Sequence, residues 1–218
     1  MEGDGSPLRG SAYALVFLVL FVLPVANAHV GFPYVASQLP EQQSSWIAHR
    51  IALITAHAVL VLMISLWDHR RRGFSLGLES GAAVGVAILA ALVVTAGFAV
   101  LQKPLEAQVE LLDYGSFSRV AQLLSVTSII WAGLGQEILF RAFALPVMEE
   151  MTGSTIAAIL MTSFAFGYYH GGTSLGVGNL LANVAGGLLL GVLFASTRNT
   201  WTVAIPHAVL VAVLLALA

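Results

Sequence analysis

Gln136-Glu137-Ile138-Leu139-Phe140-Arg141 sets a carboxylate and a guanidinium four residues apart inside an otherwise apolar segment. An ionisable side chain at bilayer depth is disfavoured by roughly 2.5–3.5 kcal/mol on insertion scales, so such residues face a polar interior and pair with one another. Glu137 and Arg141, at i and i+4, share one helix face and can form that pair. Two further polar interruptions, His170 and His207, fall in the apolar segments that follow. The remaining chain reads as a scaffold that brings these three places together in a membrane.

Composition supports that reading. Of 218 residues, 58% are hydrophobic and 9% charged, where a soluble globular domain carries about 25% charged residues. The mean hydropathy is +0.90. Nine basic and eleven acidic residues give a net charge of −2, and the basic ones form no broad patch, so no nucleic-acid partner is expected. The absence of cysteine excludes disulfides, thiolate catalysis and Cys-ligated metal centres. The apolar runs are continuous and do not alternate, which argues against a β-barrel. The expected fold class is all-α: a polytopic membrane bundle of seven transmembrane helices, or six after N-terminal processing.

Taken in order, 11–25 is a first apolar segment followed by Ala26-Asn27-Ala28. That small-x-small form suits a signal-peptidase site, but the preceding region holds Arg9 against Glu2 and Asp4, so an uncleaved helix is the preferred reading. Residues 46–67 form the second span and end in Asp68-His69-Arg70-Arg71-Arg72, which the positive-inside rule places in the cytoplasm. Residues 80–102 are the third span, and 103–119 an external connection. The fourth helix, 120–147, carries the central motif. No Asp, Glu, Lys or Arg occurs from Met151 to Thr197, so two spans are expected there, 154–170 and 179–196, divided by glycines. Residues 201–218 are the last span, with Pro206-His207 just inside its start.

Not every polar interruption asks for a function. His57, alone in the second span, reads as a helix-packing residue. Gly187 and Gly191 have the small-xxx-small spacing of closely packed membrane helices. Asn179 and Asn183 share one face of the sixth helix, where they either bond a neighbouring helix or line a polar cavity.

Taken together, Gln136-Glu137-Ile138-Leu139-Phe140-Arg141, Phe166-Gly167-Tyr168-Tyr169-His170 and Ile205-Pro206-His207 resemble the CPBP family, the CAAX prenyl protease and bacteriocin-processing intramembrane proteases, also called the Abi family. The resemblance runs from about Phe117 to the C-terminus. It divides one integral membrane unit into N-terminal membrane helices and loops, 1–116, and CPBP-like catalytic helices, 117–218. It implies that His170 and His207 belong to a catalytic centre, with Glu137 matching the second Glu of the family's EExxxR pattern and Arg141 its Arg. The family's FxxxH pattern is matched by Phe166 and His170. Gln136 stands where the family places its principal catalytic Glu, and Val211 where its last motif has Asn.

The first departure has a chemical consequence. Peptide hydrolysis needs a base to deprotonate water, and an amide is not one. Neighbouring residues of an α-helix point about 100 degrees apart, so Glu137 does not simply take over the direction of Gln136. Three explanations are open: Gln136 is a substitution introduced to trap an inactive state; the protein is a degenerate, non-proteolytic relative; or the helix is turned so that Glu137 acts as base. The expected activity is that of an intramembrane endopeptidase acting on a membrane-associated peptide or protein tail, inactive as written because of Gln136. The alternative is a non-proteolytic relative acting as a peptide-binding, scaffold or immunity protein. Within the protease reading, a Glu at position 136 would activate water with help from His170 and His207 would donate to the oxyanion, whose stabilisation Val211 weakens unless Asn179 or Asn183 substitutes; Phe166, Asn179, Asn183 and Val211 are expected to border the substrate cavity. No cofactor is expected: two histidines and a carboxylate are acceptable zinc ligands, but no HExxH spacing accompanies them. A small transporter is disfavoured by the lack of an internal repeat. The expected surroundings are the lipid bilayer of a prokaryotic cytoplasmic membrane.

Overall fold

The structure is a computed structural model that describes residues 13–27, 55–60, 62–63, 118–119, 133–170, 172 and 176–217. Among these residues all regular structure is helical. The helices are α1 (Tyr13–Ala26), α2 (helical residues 55–60 and 62–63), α3 (133–152), α4 (Thr155–Tyr169), α5 (Val177–Thr197) and α6 (Trp201–Leu217). The third span expected at 80–102, the basic cluster at 68–72 and the connection up to 117 lie outside the described residues, and the full count of spans with them. Val177–Thr197 is the one helix among the described residues long and apolar enough to cross a membrane by length and composition.

Helix boundaries shift from the expected ones for local reasons. α3 does not end at Val147 but runs through Glu149-Glu150 to Thr152. It stops at Gly153, whose φ of 66° is a left-handed conformation that costs a glycine little. Ser154 then caps α4, its hydroxyl accepting from the Ala157 N–H at 3.3 Å. α6 starts at Trp201, so Pro206 lies well inside the helix instead of at its entrance. Its missing N–H leaves the Thr202 carbonyl without its α-helical donor.

Two helices widen into a π turn, at Leu18–Val22 in α1 and Ile138–Ala144 in α3. In each, the ladder is carried by an i→i−5 bond, Leu23 N–H to Leu18 O and Leu145 N–H to Phe140 O. In each, a proline follows two residues after the turn, Pro24 and Pro146. A proline ring clashes with the carbonyl four residues back, and widening the preceding turn moves that carbonyl aside. π turns of this kind occur often at functional sites, and the second one holds Arg141.

The core lies between α1, α3 and α4 and is closed by α5. Val19 of α1, Leu139, Phe140 and Leu145 of α3 and Ala158 of α4 are fully or nearly fully buried in one cluster. α1 is therefore packed as an element of the fold, and Asn27 at its end donates to the Tyr169 carbonyl of α4 at 2.7 Å. On the outside, Ile156, Leu160 and Phe164 of α4 and Val177, Leu181 and Val192 of α5 are exposed. Apolar stripes of that kind suit a surface solvated by lipid.

α4 and α5 approach most closely at glycines. A Cβ at Gly167 would lie 2.4 Å from Val184 Cγ2 and 2.9 Å from the Val184 backbone nitrogen, and one at Gly187 3.0 Å from Ser163 Cα. At Gly191 the nearest atom is a side-chain methyl of Ile159 at 3.1 Å. Of the pair expected to pack, Gly187 is the tight one, and Gly167 joins it from within the Phe166–His170 motif. Gly167→Ala should cost about 1–3 kcal/mol, the usual range for overpacking. Gly191→Ala should be tolerated, because a methyl can turn aside and a backbone cannot. Unfolding of both variants in detergent micelles checks the contrast, and equal losses would contradict it.

At one end of the bundle Arg198 joins the last turn of α3 to the end of α5, donating from Nη1 and Nη2 to Glu149 at 2.6 and 2.8 Å. Thr155 donates to the same carboxylate. The Arg198 hydrogen bonds, then that of Thr155, pull the Glu149 carboxyl down to about 2 from its ordinary 4.5. A depressed carboxylate contributes stability above its unfolded pKa and loses it as pH falls through the folded one. Between about pH 5 and 2 the unfolding midpoint should therefore drop more in the parent than in Glu149→Gln. The clamp is largely exposed, so the difference should be small.

Candidate active site

The first half of α3 supplies Gln136, Glu137 and Arg141, with Glu137 immediately before the π turn and Arg141 within it. Glu137 and Arg141 are completely buried, and Gln136 and His207 are 4% exposed. Arg141 Nη1 donates to Glu137 Oε1 at 3.1 Å, and its Nη2 donates to the Gly187 carbonyl of α5 at 3.2 Å. The guanidinium lies over the Phe166 ring of α4, 4.2 Å from its centroid. One arginine thus ties three helices through an ion pair, a carbonyl and an aromatic face, using the planar fork that lysine lacks.

Across from it, His207 of α6 engages the same carboxylate, with Nδ1 2.8 Å from Glu137 Oε1. Its ring meets Phe166 edge-on at 5.6 Å. His170, at the end of α4, packs on Phe166 at 4.4 Å between ring centroids. Its Nδ1 lies 2.9 Å from the Phe166 carbonyl, and since a carbonyl only accepts, Nδ1 is the donor. Phe166 therefore touches Arg141, His170 and His207 at once. The three polar interruptions of the sequence meet around one aromatic ring, and Glu137 and His207, seventy residues apart, share a hydrogen bond.

Two buried acceptors in this cluster have no hydrogen-bond partner among the described residues: Glu137 Oε2 and Gln136 Oε1. A buried polar atom without a partner is rare and asks for an explanation, such as a water or a reacting group. Among the described residues no three His, Asp or Glu side chains come together in a way that could hold a metal ion.

Residues 118–213 match the family model described as type II CAAX prenyl endopeptidase Rce1-like. Over that stretch, less than half of its length, the chain is similar to the Rce1-like endopeptidases. No curated protein and no solved structure matches the chain. The matched stretch contains every member of the cluster just described.

The other expected residues of the Rce1-like segment occupy different places. Asn179 is buried and donates to the His170 carbonyl at 3.0 Å, fastening the end of α4 to the start of α5. Asn183 donates to Asn179, to its carbonyl at 2.9 Å and its side-chain oxygen at 3.1 Å. Both amide nitrogens thus take part in helix-to-helix and local bonds. Val211 lies one turn beyond His207 and is partly buried.

A second polar cluster escaped the sequence reading. His57 of α2 is buried, with Nε2 3.2 Å from the Tyr169 hydroxyl. Tyr169 in turn stands edge-on to His170 at 5.0 Å. Its neighbours are therefore α2 through the hydroxyl, α1 through Asn27 and the cluster through its ring. The available signal was a polar residue at the end of the first apolar segment and another within the second, Asn27 and His57, with a tyrosine beside the motif histidine.

Proposed function

We propose that the Rce1-like segment forms the hydrolytic centre of an intramembrane endopeptidase, acting on a peptide bond of a membrane-associated peptide or protein tail. The supporting observation is the carboxylate–imidazole bond between Glu137 and His207, buried beside His170 on a shared aromatic ring. A catalytic constellation of this sort needs acid–base groups held by packing in a dry site. The proposed setting is the cytoplasmic membrane of a prokaryote, with the bilayer and the peptide as partners and no cofactor.

Gln136 limits the rate. The resemblance assigns water activation to a glutamate at this position, and an amide cannot accept the proton, so the route through residue 136 is closed in this chain. A second reading, a non-proteolytic relative that binds a membrane peptide, is favoured by the double engagement of Glu137 Oε1 with Arg141 and His207, which suits a structural ion pair. Cleavage of a broad panel of membrane peptides in proteoliposomes, by the parent and by Gln136→Glu, separates the two. Faster cleavage by Gln136→Glu supports the protease; silence from both supports the binding protein.

A further inference from the structure

We infer that in this chain the proton acceptor for water is His207 Nε2, with Glu137 as its positioning carboxylate and Arg141 as the charge that holds Glu137 in that role. This deepens the hydrolytic reading above and rests on it.

The role of each group follows from which atom carries which proton. Arginine keeps its charge in proteins and has donors only, so Arg141 at 3.1 Å makes Glu137 the carboxylate half of an ion pair. A carboxylate only accepts hydrogen bonds. The contact between Glu137 Oε1 and His207 Nδ1 therefore has its proton on Nδ1. In a neutral imidazole the lone pair then sits on Nε2, since the bond made by one ring nitrogen sets the tautomer of the other.

The competing groups of the cluster are worse placed. Gln136 is an amide. Glu137 has Oε1 engaged by both Arg141 and His207, and although its Oε2 has no partner among the described residues, taking up a proton there would leave the buried Arg141 guanidinium without its counter-charge. His170 also presents Nε2, but its Nδ1 donates to the neutral Phe166 carbonyl. An imidazolium formed there would be stabilised by a dipole, whereas one formed at His207 would face a full negative charge. Hydrogen bonds between ionised partners are about twice as strong as neutral ones.

The charges also balance across the reaction. At rest, Glu137 and Arg141 cancel and His207 is neutral. As the water oxygen attacks the peptide carbonyl carbon, one water proton passes to His207 Nε2 and the carbonyl electron pair moves onto oxygen. The new positive charge on the imidazolium appears together with the negative charge on the oxyanion. The tetrahedral species then collapses, the C–N bond breaks, and the imidazolium returns the proton to the leaving nitrogen. A carboxylic acid and an amine result, and Glu137 remains a carboxylate throughout. A dry site favours this route over one that creates an unbalanced charge.

Two measurements on the full chain in lipid nanodiscs test the assignment. The first uses no substrate: nitrogen-15 spectra of histidine-labelled protein should show His207 protonated at Nδ1 and bare at Nε2, and Glu137→Gln should disturb that pattern. His207 found with its proton on Nε2 overturns the inference whatever the protein cleaves. The second is peptide turnover by the parent, expected slow but above the lipid blank. His207→Gln keeps a donor for Glu137 and lacks a base, so turnover should fall about 10²-fold or more, the usual worth of a general base, while the labelled protein stays folded by its remaining histidine signals. Turnover retained in His207→Gln overturns the inference and returns the role to Glu137. A silent parent beside an active Gln136→Glu overturns it while leaving the protease reading intact. Silence from both overturns the protease reading beneath it.

Discussion

Gln136→Glu is expected to raise peptide cleavage by about 10²–10⁴-fold, the usual contribution of a positioned general base. The side chain is 4% exposed and Oε1 has no partner, so the carboxylate that replaces the amide enters a space of the same size in which one acceptor already stands unengaged. Glutamate and glutamine differ by one heavy atom's identity, which keeps packing out of the comparison. The variant has a cost. Two carboxylates on adjacent residues would share a single guanidinium, Arg141, and like charges held close in a dry interior repel. The variant should therefore be faster and less stable, a combination that neither a packing change nor a general loosening of the fold produces. Cleavage rate and unfolding midpoint measured on the same preparation decide it, and a variant no faster than the parent removes the role assigned to position 136.

The helices of the second half were legible because charge is costly in lipid. A stretch free of charge from Met151 to Thr197, broken by glycines, had to contain two spans, and α4 and α5 lie there. The pairing of Glu137 with Arg141 was legible for the same reason. Their separation fits one helical turn, and neither could be left alone at depth. What the pattern could not show is a partner chosen in three dimensions. His207 completing the Glu137 carboxylate and Phe166 serving as the common contact depend on how α3, α4 and α6 pack. His57 was read as a packing residue on sound general grounds, yet it bonds the tyrosine next to His170. The π turns went unread because the apolar pattern has no feature for them, although Pro24 and Pro146 stood at the same offset from each. The glycine spacing at 187 and 191 pointed to the right crossing, but the tightest contact involves Gly167.

Arg141→Ala should destabilise the fold by about 3–5 kcal/mol, the cost of leaving one member of a buried ion pair unmatched, a large share of the roughly 5–15 kcal/mol by which a fold is ordinarily stable. Arg141 is the largest fully buried side chain among the described residues. Its removal deletes the bonds to Glu137 and to the Gly187 carbonyl, takes the guanidinium off the Phe166 face and opens a cavity between three helices. Arg141→Lys keeps the charge but loses the fork and the stacking, and should fall between parent and alanine variant. The deciding test is the double change Glu137→Gln with Arg141→Ala. If the loss in Arg141→Ala comes from a stranded carboxylate, removing both charges should be cheaper than removing the arginine alone, because an apolar replacement of a buried pair is often near neutral. If the loss comes from the cavity and the missing helix ties, the double variant should be no more stable than Arg141→Ala. The first outcome makes Glu137 a charge that the protein keeps at a cost in stability, which is what a residue retained for its effect on His207 requires. An Arg141→Ala variant as stable as the parent would remove the ion pair from the centre of the fold.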